Sequence, residues 1–270
     1  MTPSCRLMDF TNSKILCIFA HPDDESYIVG GTIARAVSEG AEVTVISATK
    51  GDKGFQHIND DAQKQKIMET RKQELERAAD ILGIREIILW DYPDGGLDSL
   101  RDKEQELTNK LINAINSVHP NTIITFGPDG VSGHRDHIAI GALAVKTARA
   151  YAERRRKEAW NDADIKVYGV TIPREFNHAM EQVIASRRRT TGHYDKSRAT
   201  ASPALREVER VDIANFTEKK FAAMRAHSSQ NPEGLIAAYT SQPKEFWTYE
   251  YFLPLITSIP HLPPKYNDRY

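Results

Sequence analysis

Five consecutive apolar residues, Ile15-Leu16-Cys17-Ile18-Phe19, constrain this chain more than any other stretch. An unbroken apolar run, with no polar residue at every second position, reads as a strand buried on both faces. A parallel sheet covered by helices on both sides meets that requirement. Similar runs recur at Ala41–Ala48, Arg85–Trp90, Thr122–Phe126 and Ile165–Ile172. Between them lie helix-like segments: Thr32–Val37, which ends near Gly40, and Asp61–Leu82, which ends at Gly83. In the second of these, Ile67, Leu75, Ala78, Ile81 and Leu82 fall near one stripe. Two more helices follow, Leu100–Val118, stopped by Pro120, and one from His134 to about Tyr151. This alternation predicts an α/β fold, a Rossmann-like three-layer α/β/α arrangement with a mainly parallel sheet. Right-handed crossovers place the strand-exit loops on one edge. In the order 3-2-1-4-5 the first and fourth strands are neighbours at the switch in strand order, where such sheets bind ligands.

The chain is expected to form a single domain over residues 1–270, with a core of about 14–172 and a C-terminal elaboration of about 173–270. The elaboration reads as helices at Glu175–Ile184 and Phe216–His227 and an aromatic-rich strand or extended tail at Phe246–Leu255. Lys plus Arg is 36 and Asp plus Glu is 37, a net charge of -1, which excludes a global bias toward nucleic acid or acidic lipid. Two cysteines exclude a disulfide framework, and Cys17 is expected to pack inside the first strand. No run approaches the roughly 18 apolar residues of a membrane span. These features predict a cytoplasmic protein.

Two polar clusters sit at strand exits. The first strand leads into Ala20-His21-Pro22-Asp23-Asp24-Glu25, and the fourth into a glycine-rich loop ending in Gly133-His134-Arg135-Asp136-His137. His21 and Asp24, three residues apart in a turn, can face one point while Asp23 faces elsewhere. His137 would be a third ligand from the fourth strand. Catalytic zinc usually takes three protein ligands and leaves a position open for water, and a His–Asp–His set also accepts other divalent metals. Asp23 is then free to act as general base. The ion lowers the pKa of water and polarises a carbonyl, while a separate carboxylate takes the proton and passes it to a leaving amine. Hydrolysis of an unreactive amide needs that division. A blander reading makes the first cluster an acid-rich helix cap and the second a pair of histidines at one-turn spacing. Two such clusters on one sheet edge favour the site.

The paired motifs, with Gly30-Gly31 between them, resemble the zinc-dependent PIG-L/LmbE-like deacetylase family from about Lys14 to Ala148, and more weakly through Ala226-His227-Ser228-Ser229-Gln230. That family includes the N-acetylglucosaminyl-phosphatidylinositol deacetylase and deacetylases and amidases of mycothiol and bacillithiol metabolism. The resemblance implies that His21, Asp24 and His137 hold zinc and that Asp23 is the base. It implies that His134, protonated, stabilises the tetrahedral oxyanion or assists amine departure, with Asp136 orienting and charging it. Arg71 matches a substrate-contacting arginine and Asp94 an aspartate that binds sugar hydroxyls; the blander reading pairs Arg71 with Glu74 along a helix face. Two departures stand out. Ser132 occupies the place of a tyrosine that aids oxyanion binding in some relatives, and Arg135 the place of a proline.

The expected function is therefore zinc-dependent cleavage of a carbon–nitrogen amide bond, removing acetate from an N-acetylglucosamine-type amino sugar or its conjugate. The rivals are an amidase acting on a larger thiol conjugate or acyl-amino compound, and a non-catalytic metal- or sugar-binding module. The expected partner is the small N-acylated substrate, and the resemblance admits a homo-oligomer, a trimer or hexamer.

Overall fold

The strands form where the apolar runs lie: β1 (Lys14–Phe19), β2 (Glu42–Thr49), β3 (Glu86–Tyr92), β4 (Thr122–Phe126) and β5 (Lys166–Val170). Two more, β6 (Glu209–Asp212) and β7 (Tyr249–Ile256), come from the C-terminal third. The computed structural model describes Met8 and residues 10–54, 60–157, 165–187 and 202–256. Within these residues the strands join one seven-stranded sheet in the order β3-β2-β1-β4-β5-β7-β6. The first five pair in parallel, as the sequence predicts, with Ile15 opposite Thr122 and Cys17 opposite Ile124 across the β1–β4 boundary. β7 runs antiparallel to both β5 and β6.

Ile15 to Phe19 are at most 1% exposed, because helices cover both faces. The helices are α1 (Asp24–Tyr27), α2 (Gly30–Ser38), α3 (Asp61–Leu82), α4 (Glu104–Val118), α5 (Gly130–Gly133), α6 (Arg135–Lys157), α7 (Asn177–Arg187), α8 (Thr217–Ala226), α9 (Pro232–Thr240) and α10 (Lys244–Thr248). From β1 the chain steps outward through α2 and α3, then reverses to β4 and steps the other way through α4 and α6. With right-handed crossovers that reversal puts the two sets on opposite faces. Accordingly α4 packs on α6, and both touch β1, while α2, α3 and α8 pack together.

Local chemistry sets the ends of α3. The Asp60 side chain accepts from Gln63 N at 2.8 Å, and Gly83 closes the helix at φ 81°, a conformation that costs glycine little. α4 ends with His119 in the left-handed region immediately before Pro120. Of two basic runs in the sequence, Arg154-Arg155-Arg156 and Arg187-Arg188-Arg189, the second lies partly outside the described residues, at Arg188 and Arg189. In the first run Arg155 is buried, while Arg154 and Arg156 are exposed.

Candidate active site

β1 and β4 are neighbours at the reversal of strand order, so their exit loops open on one crevice. The β1 exit delivers His21, Asp23 and Asp24, and the β4 exit with the start of α6 delivers His134, Asp136 and His137. His21 Nδ1 lies 3.2 Å from His137 Nε2 and 3.7 Å from Asp24 Oδ2, and His137 Nε2 lies 3.4 Å from Asp24 Oδ1. Ligand atoms about 2.0–2.2 Å from a tetrahedral ion are roughly 3.3–3.6 Å apart; the two histidine nitrogens are about that close, and each faces a different oxygen of the Asp24 carboxylate. The ligating atoms of His21, His134 and His137 also lie within 4.8 Å of one another, as do those of His21, Asp94 and Asp136.

The surroundings prepare these side chains for a cation. His137 Nδ1 sits 3.0 Å from the Gly130 carbonyl, which assigns the ring proton to Nδ1 and leaves the Nε2 lone pair facing His21 and Asp24. Phe126 stacks on the same ring, centroids 4.0 Å apart and planes 9° from parallel. The Gly130 carbonyl is aimed by a strained turn: Val131 has φ 63°, and its N–H is held by Asp129 Oδ1 at 3.2 Å. Burial, then the neighbouring His21 charge, pushes the His137 pKa down to about 3, so the ring is neutral. Around His21, burial disfavours a charge, but Asp94, Asp136 and Asp24 outweigh it and hold its pKa well above the ordinary value. Burial raises Asp24 to about 6 against the pull of His21. Several carboxylates converging on imidazole nitrogens form a donor set that fits a divalent cation, which would take the place of the proton that His21 holds.

Asp23 stands apart from that set. Its φ is 128°, a backbone state that costs a non-glycine residue about 1–3 kcal/mol and marks functional positions. Although it occupies the N-cap position of α1, its side chain makes no capping bond. Instead its Oδ2 lies 3.3 Å from Arg71 Nη2. The helix-cap reading of the acid-rich turn does not describe Asp23. Arg71, only 4% exposed, also donates to the Pro22 carbonyl and, at 3.2 Å, to the Gly51 carbonyl. Glu74 accepts from Ser228 Oγ, Ser229 N and Ser229 Oγ at 3.0, 2.7 and 2.7 Å. The pairing of Arg71 with Glu74 is therefore not what α3 uses these residues for.

Asp136 is fully buried; its carboxylate accepts from Gly95 N and Leu97 N at 2.6 and 3.0 Å and lies 3.2 Å from His21 Nε2. Its backbone N–H donates to His134 Nδ1 at 3.2 Å, which leaves the His134 ring proton on Nε2. The expectation of a protonated His134 meets a different environment. Burial, then His137 and His21, push its pKa down to about 2, outweighing the opposite pull of Asp136 and Asp94. Asp94 Oδ1 lies 3.1 Å from His21 Nε2, and Asp94 Oδ2 accepts from Lys53 N at 3.3 Å. Burial opposes its charge, but His21 and Arg71 hold it well below the usual carboxylate range. Arg135 is exposed and pairs with Asp98 at 3.8 Å.

The sequence reading missed one contact. Glu25, 1% exposed, accepts from Asp23 N at 3.0 Å and from Ser26 Oγ at 2.6 Å, and its Oε1 lies 2.7 Å from His227 Nε2. The signal available was the Ala226–Gln230 stretch, where the family resemblance reappears after a long gap.

A mainly parallel α/β sheet with a His–carboxylate donor set at its switch point defines a class of proteins able to hold a divalent metal beside a separate carboxylate held by an arginine. A profile of the PIG-L family, GlcNAc-PI de-N-acetylase, matches residues 16–148. A 1D-myo-inositol 2-acetamido-2-deoxy-alpha-D-glucopyranoside deacetylase from Saccharomonospora viridis is 30% identical over 237 residues, 80% of this chain and 84% of the relative. The chain belongs to the PIG-L family. Its fold is shared by N,N'-diacetylchitobiose deacetylase from Pyrococcus horikoshii, with a TM-score of 0.61 and 22% identity over 94% of this chain and 91% of the other. It is also shared by a 4-carboxy-2-hydroxymuconate hydratase from Pseudomonas putida KT2440, with a TM-score of 0.63 and 16% identity over 92% and 99%. The fold alone thus carries more than one reaction.

Proposed function

We propose that this chain hydrolyses the amide of an N-acetylglucosamine-type amino sugar or its conjugate and releases acetate. The observation that carries the reading is the separation of Asp23, tied to Arg71, from the cluster of His21, Asp24 and His137. Family membership favours amide cleavage over the hydration that the shared fold also allows. His21, Asp24 and His137 would hold the ion, zinc or another divalent metal, which supplies acidified water and a polarised carbonyl.

The other residues have distinct tasks in this proposal. Asp23 takes the proton of the attacking water and delivers it to the departing amine, so one carboxylate serves both halves of the reaction. Arg71, already committed to Asp23 and two carbonyls, keeps that carboxylate aimed; its burial leaves little surface for substrate. His134, neutral with its proton on Nε2, donates a hydrogen bond to the oxyanion without first being charged. Asp136 holds both His21 and His134, and Asp94, buried beside His21, meets sugar hydroxyls.

The test is an acetate-release screen across N-acetylated sugars and inositol conjugates, run with metal analysis of the purified protein. Acetate from an N-acetylglucosamine conjugate, with about one divalent ion per chain, supports the reading. Release of only a bulkier acid points to the amidase. Bound metal with no acid released points to a binding module.

A further inference from the structure

We propose that His227, acting through Glu25, is a positioning residue that holds Asp23 in the conformation a base requires. The inference rests on Asp23 being the base. Asp23 has φ 128°, in a region that side-chain-bearing residues rarely adopt, so its geometry must be imposed from outside. Glu25 Oε2 accepts from the Asp23 backbone N–H at 3.0 Å, and the other oxygen of the same carboxylate meets His227 Nε2 at 2.7 Å. One carboxylate thus links the strained backbone to a ring supplied from far along the chain. His227 is 0% exposed, and among the described residues its Nδ1 has no hydrogen-bond partner. A histidine kept in the interior with half of its polar capacity unused is poorly explained by packing. Its contact with Glu25 supplies the reason for its presence.

The mounting of His227 points the same way. The turn that follows it is fixed by Glu74, which takes three hydrogen bonds from Ser228 and Ser229. Glu74 lies one turn beyond Arg71 on α3, and Arg71 grips the Asp23 side chain. α3 therefore steadies Asp23 twice, at the carboxylate through Arg71 and at the backbone through Glu74, His227 and Glu25. This gives the last third of the chain a task in the chemistry although it contributes no ligand to the metal set.

Two amide substitutions separate positioning from packing. His227→Gln places an N–H where Nε2 stood, within reach of Glu25, whereas His227→Asn places it near the Nδ1 position. Full-length variants are loaded with zinc and assayed on 1D-myo-inositol 2-acetamido-2-deoxy-alpha-D-glucopyranoside. Displacement of a reacting group by about 1 Å can cost on the order of 10²-fold. His227→Asn should therefore lose about that factor in kcat, with KM and bound zinc unchanged, while His227→Gln stays within about tenfold of wild type. Glu25→Met, which keeps the length of the side chain and removes both acceptor oxygens, should behave like His227→Asn and replaces it if that variant does not fold. In an Asp23→Ala background none of these changes should reduce the residual rate further. Equal kcat losses in His227→Gln and His227→Asn, or further loss in the Asp23→Ala background, would show a packing role and overturn the inference. Wild-type kcat in His227→Asn with an inactive Asp23→Ala overturns it alone. Wild-type activity in Asp23→Ala overturns both it and the proposed mechanism.

Discussion

Gly51→Ala is expected to disable the site through Arg71. Gly51 has φ 65°, so any side chain there carries a left-handed backbone penalty of about 1–2 kcal/mol. A methyl group would stand 2.5 Å from Arg71 Cζ and closer still to Nη1, where ordinary contact begins at 3.4 Å. To clear Nη1 the guanidinium must retreat by roughly 1.2 Å, a movement large enough to take the 3.3 Å contact with Asp23 past the 4 Å limit of an ion pair. The backbone penalty alone should lower Tm by about 2–8 °C. The displaced Asp23 should lower kcat by about 10²-fold, more than a loss of folded protein at assay temperature could account for. Thermal unfolding and steady-state acetate release, measured on one preparation, separate the two effects. A lowered Tm with wild-type kcat would refute the assignment of Arg71 as the group that holds the base.

Two further outcomes test the supports of the site. Phe126→Ala removes a fully buried ring stacked on His137 and should cost about 3–5 kcal/mol in urea unfolding. It should also weaken zinc retention against a chelator by roughly tenfold, whereas Phe252→Ala, an equally buried ring on β7, should cost similar stability and leave zinc retention unchanged. Asp129 gives a pH signature. Burial raises its pKa, more than its bonds from Thr171, Val131 and Ser202 lower it. The native state therefore holds this proton to higher pH than the unfolded state does. The stabilisation is fully present below about pH 3.9 and is lost as pH rises through the folded pKa. Unfolding free energy measured from pH 4 to 7 should fall relative to Asp129→Asn as pH rises; a difference that stays constant or grows contradicts the burial argument.

Much of the architecture was legible because each strand of the parallel core is an apolar run bounded by turn chemistry. Thr122–Phe126 and Asp61–Leu82 have the limits that the sequence predicts. β6 was not legible: Glu209-Arg210-Val211-Asp212 carries one buried apolar residue, and the strand exists because β7 offers it an antiparallel partner. α9 begins at Pro232, where helix initiation could have been read, yet it lies in a segment without strong periodicity. Within the site, the two strand-exit clusters were visible because the switch point brings β1 beside β4. The fate of Arg71 was harder to see, since local spacing favours Glu74 and only the tertiary structure brings Asp23 into reach. A clue was present: Arg71, Leu75, Ala78 and Leu82 lie on one helical stripe, and all four are buried. An arginine in line with core residues needs buried acceptors, and the Asp23 turn provides them.

The central claim is that adjacent carboxylates have separate tasks, Asp24 with the metal and Asp23 with the proton. It is tested most directly by measuring zinc content and acetate release together in Asp23→Ala and Asp24→Ala. Asp23→Ala should keep near-stoichiometric zinc and release no acetate, while Asp24→Ala loses both. Acetate release near the wild-type rate by Asp23→Ala would contradict it, as would loss of zinc in that variant.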